Sequence, residues 1–171
     1  NSRIKKTQLF FEQREFFVTW VIKEIMTAQK KAKKRGFRFS VRLNNTSDIS
    51  PELFYTNSDG LKENILEWFP DVQFYDYTKV FNRERLKDKY PNYDLTYSFN
   101  GENMDDCMKV LNNGERVAIV FNDVPKTFQG FDVIDGDQYD MRYLDRKGVI
   151  VGLKYKKVRN ELSTQNKFVI Q

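Results

Sequence analysis

Arg116 to Phe121 reads RVAIVF, and nothing polar interrupts it after the arginine. A strand with one wet face alternates apolar and polar residues, whereas a strand buried on both faces does not, as in parallel sheets. The residues before it fit that reading. Asn103 to Leu111 has helical spacing and stops at Asn112-Asn113-Gly114, and Tyr93 to Ser98 is a strand-like run ahead of it. Strand, helix and buried strand in succession make a βαβ unit, with a right-handed crossover expected.

The same grammar extends in both directions. Phe37 to Leu43 reads as a first strand, Leu61 to Phe69 as a short amphipathic helix closed by Pro70, Val72 to Tyr77 as a second strand, and Asn82 to Lys89 as a polar helix. Upstream, Gln8 to Lys34 reads as one long helix with a stripe of Phe10, Phe17, Val21, Ile25 or Met26, Ala28 and Ala32. Phe11, Phe16 and Trp20 widen that stripe, and Gly36 ends the helix after a cationic last turn. Downstream, FDVIDGDQYD (Phe131–Asp140) and GVIVGLKYKK (Gly148–Lys157) read as strands without a helix between them, so a hairpin or irregular edge is expected. Lys167 to Ile170 reads as a further strand or a tail. The fold class is therefore α/β: a mostly parallel sheet of about five or six strands, with a partial or open (β/α) barrel as its curled form. The long N-terminal helix is expected on one face, and residues 1–171 are expected to form a single domain. The chain starts at Asn1 rather than Met, as a processed or truncated product would.

Composition narrows the chemistry. The chain has no histidine, which removes the usual general base, the commonest zinc ligand and any Ser-His or Cys-His nucleophile. Cys107 is the one cysteine, so no internal disulfide can form. Nothing reads as a secretory signal or a membrane span, and the expected location is the cytoplasm of a host bacterial cell. The net charge of +5 is unevenly spread. Lys30, Lys31, Lys33, Lys34 and Arg35 are nearly consecutive, and Lys154, Lys156, Lys157 and Arg159 form a second cluster. Such patches attract a nucleic-acid backbone, although cations also complement the end of a helix.

In parallel α/β folds, ligands bind where the carboxyl ends of the strands meet their loops. The first strand runs into Asn44, Asn45, Thr46, Ser47 and Asp48, more polar residues than a turn requires. Ser47 or Asp48 is a candidate cap, since Pro51 suits a helix first turn. The second strand ends in Asp76, Thr78 and Lys79, the third in Ser98 with the loop SFNGEN, and a later one in Asp135 and Asp137. Asp76, inside an aromatic strand, needs a partner; Arg42 and Lys79 are candidates, and such a pair has a structural reading too. SFNGEN offers backbone N–H groups to an anion. The oxygen-rich segment around Asp135 suits hard cations, but lacks the full calcium-loop pattern and also carries a hairpin turn signal, so no metal is predicted.

The ordered series VRLNNTSD, WFPDVQFYDYTKV, PNYDLTYS, VAIVF and VIDGDQYDMRYLDRKGVIVGLKYK resembles the phage gene-eighty-eight-like family, over about Arg3 to Lys156. The resemblance implies a distant likeness to a partial (β/α) barrel of the radical-enzyme type, with a cysteine-containing segment upstream. It carries over Arg42, Asn44, Ser47, Asp48, Asp76, Thr78, Lys79, Ser98, Asp135 and Asp137 as ligand-binding candidates. This chain departs from the family pattern at Asn45, where Gly is frequent, and at Tyr139, where His is frequent. One cysteine cannot hold an iron–sulfur cluster, so no cofactor is predicted for the residues in hand. The expected function is that of a phage- or plasmid-encoded accessory protein that binds a host protein or nucleic acid without catalysis. An enzyme or small-ligand binder using the strand-end rim is the alternative, and a degenerate barrel serving a protein interface is a third class. No membrane partner is expected.

Overall fold

A computed structural model describes residues 2–44, 47–58, 61–156 and 167–171 of the protein. The chain divides into two compact units, residues 1–74 and 75–171.

The first unit opens with α1 (Ser2–Glu12) and α2 (Arg14–Lys34) where one helix is expected. Gln13, at φ −140 and ψ 58, leaves the helical region without any Pro or Gly to force it. The break resets the helical phase. Val18, Ile22 and Ile25 are the buried residues of α2, while Phe11, Phe16, Met26 and Ala28 are exposed. Phe10 stays buried, its ring 5.4 Å from Phe17 and 5.3 Å from Phe54. After α2 come β1 (Ser40–Val41), a 3-10 turn at Pro51–Leu53, β2 (Tyr55–Ser58) and β3 (Leu61–Asn64). β2 and β3 form an antiparallel pair, and α2 packs on β2.

The expected helix from Leu61 is thus a strand in its first half, and α3 (Ile65–Trp68) begins only at Ile65. The reason is local. Asn64 accepts hydrogen bonds from the Leu66 and Glu67 N–H groups, and Glu67 accepts the Asn64 N–H at 3.0 Å. That reciprocal capping box satisfies the first orphan donors and fixes where the helix starts. β4 (Gln73–Thr78) follows, with Ser40 of β1 opposite Gln73 and Val41 opposite Phe74 in parallel register.

The second unit contains a 3-10 turn at Arg83–Arg85, α4 (Leu86–Lys89), β5 (Tyr93–Ser98), α5 (Met104–Asn112) and β6 (Val117–Phe121). It continues with β7 (Thr127–Phe128), β8 (Phe131–Asp135), a 3-10 turn at Arg142–Leu144, β9 (Ile150–Lys154) and β10 (Val169–Ile170). The eight-stranded sheet has the order β1-β4-β5-β6-β9-β8-β7, with β10 beside β6. It is open and mostly parallel; β7 alone among the registered pairs runs antiparallel, against β8. The count exceeds five or six because two two-residue strands, β7 and β10, join the sheet, while the first strand shrinks to the two residues of β1. β8 and β9 are parallel neighbours joined by a crossover, so the expected hairpin lies one step earlier, between β7 and β8.

β6 is the centre. It pairs with β9 along its whole length, while its other partners divide its residues: β5 takes Val117 and Ala118, and β10 takes Val120 and Phe121. Cys107, Val110 and Leu111 of α5 pack on Val117, Ile119, Phe121, Tyr97 and Phe99. Each such apolar side chain contributes about 1.5–3 kcal/mol by leaving water.

Two glycines allow the close approach of β8 and β9. A Cβ on Gly136 would meet Val151 Cγ1 at 2.5 Å, and one on Gly152 would meet Val124 and Val133 Cγ1 atoms at 2.6 Å. The Gly136 N–H donates to the Gly152 carbonyl at 2.8 Å, so the two backbones have no slack. Gly152→Ala should therefore destabilise the protein by about 1–3 kcal/mol through overpacking. Urea unfolding measures this, and a midpoint equal to that of the unsubstituted protein would contradict the contact.

Candidate functional site

Of the strand-end candidates, Arg42, Asn44, Ser47 and Asp48 belong to the first unit and the other six to the second. Asn44 is buried and braces its loop: its amide donates to the Ile49 carbonyl at 2.7 Å, and its oxygen accepts from the Ile49 N–H at 3.1 Å. Ser47 Oγ donates to the same oxygen at 2.8 Å, and Arg42 Nε donates to the Asn44 carbonyl at 3.1 Å. An amide that bonds backbone across a loop substitutes for the missing ladder. At the turn Pro51–Leu53 the N-cap position is Ser50, without a side-chain cap hydrogen bond. Asn45 and Thr46 lie outside the described residues.

On β4, Asp76 and Thr78 are buried, as strand alternation places them on one face. Tyr93 donates its hydroxyl to Asp76 at 3.3 Å, and Thr78 Oγ1 accepts the Val80 N–H at 3.1 Å. Lys79 is exposed, its ammonium 5.5 Å from the centre of the Phe168 ring. At the end of β5, Asn103 donates to the Ser98 carbonyl at 3.1 Å and to Tyr97 Oη at 2.9 Å. The N–H groups of Glu102 and Asn103 are taken by Asn100 Oδ1, and that of Asn100 by Asn103 Oδ1. Those loop donors are already used, which removes them from the anion cradle expected of SFNGEN.

Asp135 and Asp137 come together. The Asp137 N–H donates to Asp135 Oδ1 at 2.9 Å, while Asp137 accepts the Lys154 N–H at 2.8 Å and the Lys156 ammonium at 2.9 Å. The turn after β8 is thereby tied to the end of β9. The Lys154 N–H, and after it the Lys156 ammonium, hold the Asp137 carboxyl below its ordinary value. Lys154 also reaches Asp123 at 3.4 Å. Lys157 and Arg159 of the second cationic cluster lie outside the described residues. Among the described residues no group of three or more Cys, Asp or Glu side chains could hold a metal ion.

Two further deeply buried charges lie at the opposite end of the strands. Arg116 and Arg142 are each 1 % exposed. Arg116 pairs with Asp94 and donates to the Asp145 carbonyl at 2.8 Å. Arg142 lies 3.2 Å from the Asp145 carboxylate, donates to the Tyr139 carbonyl and stacks on the Tyr139 ring at 4.9 Å. Tyr139 donates its hydroxyl to Asp145 at 2.5 Å, and that bond raises its pKa above the usual phenol value. Glu115, just before Arg116, pairs with Lys87 and with Lys147. Arg116 at the head of an apolar run was the available signal for this network, since a guanidinium next to a buried strand must find carboxylates.

The cations closing α2 form a different kind of site. Lys30, Lys31, Lys33, Lys34 and Arg35 are exposed, and none joins an ion pair among the described residues. No carboxylate occurs from residue 30 to 38.

The sequence model of Gene product 88 matches residues 1–170, almost the whole chain. The protein belongs to the Gene product 88 family. No curated protein and no solved structure matches it. Cys107 of α5 is fully buried, and burial pushes its thiol pKa up to about 12.

The Asp137 tether has a defined pH dependence. A folded-state pKa below the ordinary 3.8 means the contribution is present above that value and is lost as pH falls through the lower folded value. The advantage of the unsubstituted protein over Asp137→Asn should be constant above about pH 5 and vanish on acidification. Urea midpoints across that range read it out, and a pH-independent difference would refute the charge-based tether.

Proposed function

We propose that this Gene product 88 protein is a phage- or plasmid-encoded accessory protein of the host cytoplasm that binds nucleic acid electrostatically, without catalysis. The observation that supports this reading is the carboxyl end of α2. Elsewhere, Lys109, Arg146, Lys154, Lys156 and Lys167 each have a carboxylate partner, whereas the five cations from Lys30 to Arg35 have none among the described residues. Complementing the helix dipole accounts for Lys31, Lys33 and Lys34 in the last turn, at about 0.3–1 kcal/mol each, but gives Lys30 and Arg38 no role. A phosphate backbone is the partner whose charge spacing rewards such a row. The lack of histidine and the inert Cys107 thiol support a binding role over a nucleophilic one.

Labelled oligonucleotides should bind at low salt, with affinity falling steeply as salt rises. Replacing Lys30, Lys33 and Lys34 together by Ala should reduce the slope of log K against log salt by roughly 2 for a single strand. Fluorescence anisotropy at several salt concentrations tests this, and no binding of single-stranded or duplex DNA or RNA at low salt sinks the reading.

The strand order favours a second reading, a polar small ligand bound by an enzyme or binder at the rim. Sheet order reverses between β6 and β9, and in open α/β sheets ligands bind at the carboxyl ends beside such a reversal. Asp123, Asp137, Lys154 and Lys156 stand there. Mononucleotides and sugar phosphates should then raise the melting temperature of the protein but not of a Lys154→Ala, Lys156→Ala variant. A panel that shifts neither protein removes this reading.

A further inference from the structure

The cationic end of α2 carries a feature that electrostatics alone does not need. Arg35 is the C-cap, Gly36 has φ +69, the Gly36 N–H donates to the Lys33 carbonyl at 3.2 Å, and the Phe37 N–H donates to the Ala32 carbonyl at 3.0 Å. Those two bonds are the Schellman motif, in which the residue after the left-handed glycine usually folds its apolar side chain back onto the last turn. Here that residue is Phe37, and it is 66 % exposed. The backbone of Phe37 is thus fixed while its ring stands out in water, between Arg35 and Arg38, within a nine-residue stretch that has six cations and no carboxylate.

We infer that this surface binds single-stranded nucleic acid, with Phe37 as a stacking platform for a base and Lys30, Lys33, Lys34, Arg35 and Arg38 along the phosphates. The inference rests on the electrostatic reading above and adds the form of the ligand. Cations alone serve single strands and duplexes alike, because both present phosphates. A ring on the surface meets a base face only where bases are unstacked, and in a duplex those faces are covered. Proteins that hold single strands without sequence preference combine these two elements, a cationic track and aromatic side chains. The capped backbone lowers the cost of binding, since only the side-chain torsions of Phe37 remain to be ordered on stacking.

The test uses the full chain, a labelled oligothymidylate and a duplex of the same length, in low salt and across a salt series. The oligothymidylate should bind more tightly than the duplex. Phe37→Ala should weaken oligothymidylate binding by about 5-fold or more while leaving the salt slope unchanged, because no charge is lost. Phe37→Trp should keep the affinity, and Phe37→Leu should lose it as the Ala variant does, which separates stacking from apolar contact. Circular dichroism confirms that each variant is folded, as an exposed position should allow. Equal affinity for duplex and single strand, or a Phe37→Ala protein that binds like the unsubstituted one, overturns this inference and leaves the electrostatic reading standing. No binding of either oligonucleotide by the unsubstituted protein overturns both.

Discussion

A strand paired along its length and packed against a helix has little room to face water, and Val117–Phe121 is in that position: all of its residues but Val120 are buried. β9 registers with all five of its residues, and β5 and β10 divide the others between them. Most of what surrounds it follows from this constraint. α5 must offer a dry face, which Cys107, Val110 and Leu111 supply. β9 must accept close neighbours, which Gly152 allows. The residue before the strand, Arg116, is drawn into the interior with it, and its charge then obliges Asp94 and the Asp145 segment to follow.

That obligation shapes the amino end of the second unit. Two buried guanidiniums and their carboxylates are costly to assemble, and breaking such a network by removing one partner is far more damaging than never having built it. Asp94, Arg116 and Arg142–Asp145 come from separate parts of the chain, and the network ties them together while leaving Arg116 Nε, Arg142 Nε and Nη1 and Asp145 Oδ2 without a hydrogen-bond partner. Tyr139 takes part through its hydroxyl on Asp145.

How much of this was legible in the sequence varied with the range of the forces involved. β5 and β6 were readable nearly to the residue, β5 because YDLTYS alternates apolar and polar residues and β6 because VAIVF is an unbroken apolar run. The kink at Gln13 was not, since no Pro or Gly marks it and α1 and α2 are each locally good helix. Leu61 to Phe69 has helical spacing throughout, yet its first half pairs with β2; the Asn64 and Glu67 signature was present and marks the true start. The parallel pairing of β8 with β9 depends on a backbone contact at Gly136 and Gly152, far apart in sequence, so a local reading left a hairpin or an irregular edge. Among the candidate site residues, local patterning identified polar positions but could not say what they bond. Asn44 braces a loop, Asp76 sits inside the fold with Tyr93, and Asp137 ties two strands, so their polarity reports internal wiring as much as a surface for ligands.

The placement of β10 bears on the order in which the protein can be assembled. Val169 and Ile170 dock on Val120 and Phe121, and Lys167 lies so close to Gly101 that an added Cβ there would meet its backbone at 3.1 Å. A ribosome delivers β5, α5 and β6 well before those residues. During that interval the Val120–Phe121 edge of the nascent sheet lacks its final neighbour, and it is the natural place for a chaperone, or a mispaired second chain, to engage.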